Sequence, residues 1–462
     1  MKKTKVVFYG GLIYSDRALL YNGYLEKMAN KYDIELWTQY ADTYQSDFIS
    51  IINVKLLGNL EKPWYLKYIR YINTYAHDIK YQSKARFYRK DKQKTSLITR
   101  FIRITGQIIF KLNLNNLSEK IVSRIHKYNV KDFYFDQLIS KSRPDIVIFT
   151  WPYRASNLSL ASICKRHGVK TIASVLGIDN ITTKERMLNL FDHYWVWSDY
   201  MKEQLLEYYS YLNKNDIYTV GPIQYNGLLN YSTSELCNVY SEGGNRINIL
   251  FCLGSPNLIQ EHHVLIELLS FIKKENLEKF FLVLVRPHPG FNDNPEHIEM
   301  LKNIISKFDN FCVLQNVSHI INDEFMIQWS SAIYYANIVM ACSSTILIDS
   351  IINKKKTINI NFSTNEINNS IIKNDVSKWI HNIDMMRYLP VKNINSIEEL
   401  KEVILIEKSN QSINTMINFN TIEIKNINYL CGVDFTSKDV SKNLGTQYFI
   451  QISKSIDSLT SK

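Results

Sequence analysis

The feature that most limits the fold of this 462-residue chain is a series of short apolar runs, each a helix-length from the next. Residues 5–10 (KVVFYG), 34–38 (IELWT), 145–150 (DIVIFT), 171–176 (TIASVL) and 194–197 (YWVW) read as buried strands. The run 217–220 (IYTV) closes this first set at Gly221-Pro222. A second set follows at 247–253 (INILFCL), 281–286 (FLVLVR), 311–314 (FCVL), 337–341 (NIVMA) and 356–360 (KTINI). Strands that alternate with helices form parallel sheets with right-handed crossovers.

Two sets of similar size predict an α/β protein of two Rossmann-like domains facing a cleft. Length agrees, since 462 residues exceed one ordinary core. The predicted domains are 1–230 and 240–435, joined near 223–246, where Ser, Asn, Thr and Gly-Gly accumulate. Beyond about 400 the pattern turns helical, and a last helix within 438–462 is expected to return to the first domain.

The six cysteines show no CxxC or zinc spacing and read as buried thiols of a reducing compartment. MKKTKVVFYGG begins like a signal peptide, but its apolar run breaks at Gly-Gly and reads better as a first strand. No run approaches the ~18 apolar residues of a spanning helix. These features predict a cytoplasmic protein.

The net charge of +11 has one origin. Residues 62–111 carry 13 Lys or Arg against two acids, and the rest of the chain balances at 42 of each. In this stretch aromatic and aliphatic residues interleave with Lys and Arg at roughly helical spacing. It predicts a basic helical insert, about 62–130, in the first domain. Such a helix can lie on an anionic membrane surface, with Lys84, Arg86, Arg89 and Lys90 among the charges facing it. A solvated helical hairpin is the alternative. No nucleic-acid module accompanies the patch, so nucleic acid is not expected as a partner.

Two segments of the second half carry the chemistry. Leu282-Val-Leu-Val-Arg286-Pro287-His288-Pro289-Gly290 ends one strand, and Ala341-Cys342-Ser343-Ser344-Thr345 ends another. Ligands of open α/β sheets bind at the carboxyl ends of strands, and helix N-termini favour phosphate. Arg286 can hold a phosphate bidentately. His288 can give a proton or hydrogen bond to a leaving phosphate. Ser343, Ser344 and Thr345 can cap the next helix and bind ligand at the same end. Gly254 and Ser255 follow the first strand of this domain, where glycine admits close backbone approach to phosphate. Base choice would fall to 315–330, around Asn316, His319 and Trp329.

In the first domain Gly177-Ile-Asp179-Asn-Ile-Thr-Thr-Lys184 follows the strand TIASVL. Asp179 is a candidate general base for an acceptor hydroxyl, and Lys184 a candidate acceptor contact. An Asx-turn with a helix cap is the plainer alternative. Trp151, Tyr153 and Arg154, with Gly11, Asp16 and Arg17 after the first strand, complete the expected acceptor side.

The HP pair with a downstream SS/ST motif resembles GT-B-fold glycosyltransferases of bacterial surface-polysaccharide assembly. These include sialyltransferases, polysialyltransferases and Kdo transferases, with CDP-glycerol glycerophosphotransferases similar in layout. The resemblance covers most of 140–360. It implies that His288, Ser343 and Ser344 contact the nucleotide phosphate. GIDNITTK is also similar to a W-D-N-[LI]-T-[ST]-K stretch of related proteins, with Gly177 at the aromatic position. The family's Ala-Asp pair before the Ser motif is Ala336-Asn337 here.

The resemblance implies a peripheral inner-membrane glycosyltransferase of capsule or O-antigen synthesis. It would move a sugar from a nucleotide-sugar, CMP-sugar favoured over UDP-sugar, to a glycan or lipid-linked acceptor. With no Asp-x-Asp motif at a suitable strand end, transfer is expected without metal or other cofactor. The alternatives are a glycerophosphotransferase, a UDP-sugar 2-epimerase, and a non-catalytic assembly scaffold.

Overall fold

The apolar runs pair in parallel, side by side, because each is apolar toward both faces of its sheet. The computed structural model describes residues 3–10, 24–38, 44–45, 53–56, 64–91, 96–225, 236, 239–240, 245–256, 258–291, 294–315, 321–410, 416–435 and 440–460. The chain divides into two compact units, Met1–Gly227 with Asn428–Lys462, and Leu228–Ile427.

The first unit holds strands β1 (Lys5–Gly10), β2 (Asp33–Thr38), the two-residue β3 (Tyr44–Gln45), β4 (Asn53–Leu56), β5 (Ile146–Phe149), β6 (Lys170–Ser174), β7 (His193–Val196) and β8 (Ile217–Thr219). Seven of them form a sheet in the order β4-β2-β1-β5-β6-β7-β8. Its strands pair in parallel, as in Val6 opposite Ile34 and Ile146. Order reverses between β1 and β5, which makes that gap the unit's switch point.

Its helices are α1 (Tyr24–Lys31), α2 (Trp64–Lys80), α3 (Lys84–Asp91), α4 (Leu97–Lys111), α5 (Asn115–Asn129), α6 (Phe133–Ser142), α7 (Ala155–Arg166), α8 (Asn180–Thr183) and α9 (Asp199–Tyr208). Helices α2 to α6 all stand between β4 and β5. They are tied to the core by a buried ionic cluster. Arg186 Nε and Nη2 donate to Glu119 Oε2 at 3.2 and 2.5 Å, and His77 Nε2 lies 3.2 Å from the same oxygen. Helices α2 and α4 meet at Gly106, where a Cβ would stand 2.7 Å from Tyr75 Cδ1.

The second unit holds β9 (Ile247–Cys252), β10 (Phe281–Arg286), β11 (Cys312–Leu314), the two-residue β12 (Ile321–Asn322), β13 (Ile338–Ala341), β14 (Lys356–Ile360) and β15 (Lys392–Ile394). Six form a parallel sheet ordered β11-β10-β9-β13-β14-β15, with its switch point between β9 and β13. Its helices are α10 (His262–Lys274), α11 (Pro295–Ile305), α12 (Asp323–Tyr334), α13 (Ile346–Ile352), α14 (Glu366–Asn374), α15 (Ile380–Tyr388), α16 (Ile397–Asn410) and the start of α17 (Thr421–Cys431).

The last helix, α18 (Val440–Thr460), belongs to the first unit. Trp195 Nε1 donates to Ser455 Oγ at 2.9 Å, and Lys31 and the Tyr32 hydroxyl both donate to Asp457, at 2.7 and 2.9 Å. Gly221, at φ +80°, lies against the Tyr448 ring, where any side chain would collide.

Candidate functional site

In the second unit the expected residues gather along one row of strand ends. Parallel register sets Arg286 of β10 beside Cys252 of β9, and Ala341 of β13 beside Cys252 on its other side. Gly254 therefore leaves β9, and Ser343 and Ser344 leave β13, on the two sides of the switch point. His288 and Arg286 leave the neighbouring β10.

Each motif is held by a side chain that the motif itself does not contain. Ser343 has φ +45°, a left-handed conformation uncommon for a non-glycine residue. Its amide donates to Asn359 Oδ1 at 2.7 Å, and Asn359 Nδ2 donates in turn to Asn393 Oδ1 at 2.7 Å. Capping is narrower than the sequence suggested. Thr345 occupies the N-cap of the seven-residue α13 without a side-chain cap bond, and Ser344 Oγ accepts the Ile346 amide at a long 3.5 Å.

The Gly254 amide donates to Glu261 Oε1 at 2.9 Å. Glu261 is 3% exposed and its Oε2 is buried without a hydrogen-bond partner. Burial pushes this carboxyl up to about 8, with its own amide and that of Gly254 pulling the other way. The Cys252 thiol is likewise pushed up to about 12 by burial, against the opposing field of Arg286. Glu261 was not a candidate from the sequence, where it reads as an ordinary acid at a helix start.

Arg286 is 8% exposed. Its guanidinium carbon sits 3.7 Å from the Trp329 ring centroid, and Nη1 donates to Gln315 Oε1 at 2.9 Å. The bidentate hold on phosphate read from the sequence would fall to a side chain that is buried against Trp329 and has Nη1 engaged by Gln315. Trp329 departs from the sequence reading. It lies inside α12, 7% exposed under Arg286, and not in a base-reading loop. Asn316 and His319 lie outside the described residues.

His288 is exposed at the end of β10. Its Nδ1 accepts the Gly290 amide at 3.0 Å, which in the neutral ring places the proton on Nε2. Gly254 and Ser255 are partly exposed just after the end of β9, and Thr345 is exposed. Asn337, which stands for the expected aspartate, accepts the Asn248 amide through Oδ1 at 2.7 Å. Either residue type can make that bond, so the departure leaves the β9–β13 junction intact.

In the first unit Trp151, Asp179 and Lys184 come together. Lys184 Nζ lies 5.5 Å from the Trp151 ring centroid and 3.8 Å from Asp179 Oδ2. Asp179 Oδ2 also accepts the Thr183 hydroxyl at 3.0 Å. Gly177 is explained by its neighbours: a Cβ there would meet Asp179 Oδ1 at 2.9 Å and Asn180 Oδ1 at 3.0 Å. Arg154 is exposed at the start of α7. Gly11, Asp16 and Arg17 lie outside the described residues.

No protein-family model and no curated protein matches the sequence. Solved structures do match over nearly the whole chain. A candidate UDP-N-acetylglucosamine 2-epimerase from Listeria monocytogenes aligns at TM-score 0.57 and 11% identity, covering 99% of this chain and 97% of its own. The UDP-GlcNAc 2-epimerase of Neisseria meningitidis, solved with UDP-GlcNAc, aligns at 0.55 and 11%, covering 99% and 100%. S. aureus MnaA, solved with UDP, aligns at 0.54 and 11%, covering 100% and 98%. At this identity the likeness is one of fold: two Rossmann-like units of the GT-B type.

Proposed function

We propose that this protein is a nucleotide-sugar enzyme, and specifically a glycosyltransferase. The observation that carries the reading is the second unit's switch point, flanked by the Gly254 turn on β9 and the Ser343–Ser344 turn on β13. Arg286 adds positive charge from β10. The Gly254 and Ser343 amides are taken up by Glu261 and Asn359, which fix the two turns; the serine hydroxyls and a fixed cation at the same strand-end row suit the phosphates of a nucleotide. His288, with its Nε2 proton, would stabilise the charge that develops on the leaving nucleotide. Asp179, beside Lys184 and Trp151, would take the acceptor's proton.

The acceptor is a glycan or a lipid-linked glycan of a surface polysaccharide, and the enzyme works on an anionic membrane face. What supports the membrane is the surface of α4 and α5. Leu97, Phe101, Ile104 and Ile108 follow one face of α4 and are 86, 63, 48 and 51% exposed. Arg100 and Lys111 on α4, and Lys120 and Arg124 on α5, are exposed as well. An apolar stripe on helices that also carry exposed cations fits an anionic lipid interface. Arg86 is not one of these charges: it is buried and donates to Asp78 at 2.6 Å. Among the described residues no helix is long and apolar enough to cross a membrane.

A UDP-sugar 2-epimerase is the second reading, suggested by the similar solved structures, among them UDP-GlcNAc 2-epimerases. CMP-sugar and UDP-sugar donors both fit the phosphate row, which does not read the base. Proton NMR of the enzyme with CMP-sialic acid or UDP-GlcNAc, with and without a glycan acceptor, separates the readings. A transferase releases nucleotide in step with acceptor consumption. An epimerase yields the C2 epimer with no acceptor present. Change of neither donor would remove both readings.

A further inference from the structure

The helices between β4 and β5 enclose a cavity of about 600 Å³, within the range of small-molecule sites. It is formed wholly within the first unit, by α2, α3, α4 and the residues just after α8. Lys67, Arg86, Arg103 and Lys184 line it with one acid, Glu185; Glu185 pairs with Arg70, Arg86 with the buried Asp78, and Lys184 lies 3.8 Å from Asp179. Thr74 and Arg86 also line it, 1% and 6% exposed. Thr74 Oγ1 and Arg86 Nε are buried without a hydrogen-bond partner. Native proteins seldom leave such groups unmet, so they point to a polar ligand or water within the cavity.

The remaining walls are tyrosine rings of α2 and two isoleucines of α4, Ile98 and Ile102. Ile98 is 52% exposed and adjoins Leu97 and Phe101 of the α4 stripe. The cavity thus has both cations and apolar side chains in its lining, and Ile98 joins it to the apolar face of α4. Lys184 also contacts Asp179 and Trp151.

We propose that this cavity binds an amphiphilic phosphate ester, with its phosphate held by Lys67, Arg103 and Lys184 and its hydrocarbon chain leaving over Ile98 along α4. A phosphate is favoured over a carboxylate because three cations, Lys67, Lys184 and the guanidinium of Arg103, line one space. The proposal deepens the acceptor half of the reading above. It places the phosphorylated carrier of the acceptor next to Asp179.

The test is calorimetric titration of the full-length protein with farnesyl phosphate below its micellar concentration, with farnesol and inorganic phosphate as separate arms. Farnesyl phosphate should bind at least 10-fold more tightly than either. The double variant Lys67→Gln/Arg103→Gln should weaken it at least 10-fold. Ile98→Ser, at an exposed position, should weaken farnesyl phosphate while leaving inorganic phosphate unchanged, and it keeps the test valid if the double variant misfolds. Equal binding of inorganic phosphate would overturn the lipid, and unchanged affinity in both variants would overturn the site. Nucleotide binding, followed in the same variants by thermal shift, should stay at the wild-type level. Its absence from the wild-type protein would fail the nucleotide-sugar reading without touching this one.

Discussion

Gly254 and Glu261 fit together with no room to spare: the Gly254 amide donates to Glu261 Oε1 at 2.9 Å, and a Cβ on residue 254 would stand 2.6 Å from that oxygen. Glu261 is buried and cannot move aside into water. Gly254→Ala should therefore cost about 1–3 kcal/mol, the usual range for overpacking. Urea denaturation checks this, and an unchanged midpoint would show that the Glu261 carboxyl yields freely.

The same carboxyl predicts a pH dependence. Its folded pKa is about 8 against an ordinary 4.5, because burial disfavours the charged form. Between those values the unfolded chain releases a proton that the native protein keeps. Stability should fall as pH rises across that window. In Glu261→Gln, whose amide oxygen can still accept the Gly254 amide, the fall should be smaller. Melting temperatures at pH 5 and pH 8 decide it. Equal slopes in both proteins would remove Glu261 as the cause.

Glu119 behaves in the opposite sense. Burial pushes its carboxyl up, but Arg186 and His77 outweigh burial and hold it below the ordinary range. Its contribution is present above pH 4.5 and lost as pH falls. Breaking a buried pair strands the partner's charge, so Glu119→Ala should cost about 3–5 kcal/mol. Equilibrium unfolding at pH 7 measures it, and a loss near zero would mean that the cluster does not hold the helices to the core.

At the phosphate row, His288→Ala should lower turnover on the order of 100-fold, the size typical of removing one electrostatic contact to a developing charge. The ring is exposed, so the melting temperature should stay within error. Near wild-type turnover in a steady-state assay would take His288 out of the mechanism.

The exposed stripe of α4 gives a surface prediction. Replacing Leu97, Phe101 and Ile104 with Ser should reduce flotation with phosphatidylserine-containing liposomes. Replacing Arg100 and Lys111 with Gln should reduce it further by ~1 kcal/mol per charge, and high salt should do the same to the wild type. Flotation that survives all three treatments would assign the stripe to a protein partner.

The sequence made most strands legible because β1, β5, β6, β9, β10 and β13 are apolar on both sides. It hid β4 (NVKL) and β15 (KNI), which are short edge strands with polar residues. Residue types at strand ends identified Arg286, His288 and Ser343, but not how they are held. Asn359 supports Ser343 from 16 residues away, and Trp329 supports Arg286 from 43 positions away, with no periodic signal linking either pair. Arg86 and Arg70 look like surface charges in a basic helix until their acids, Asp78 and Glu185, fold against them. Glu261 carried no mark at all, because burial creates its unusual chemistry.

Both functional readings require that the β9–β13 switch point bind nucleotide phosphate. The most direct test is calorimetric titration of the full-length protein with CMP, CDP, UDP, GDP and dTDP, repeated in Ser344→Asp, which places a negative charge in the proposed phosphate position. The account predicts that at least one nucleotide binds the wild-type protein and that Ser344→Asp weakens it at least 10-fold with the fold intact. Binding of none of the five, or equal affinity in Ser344→Asp, would contradict it.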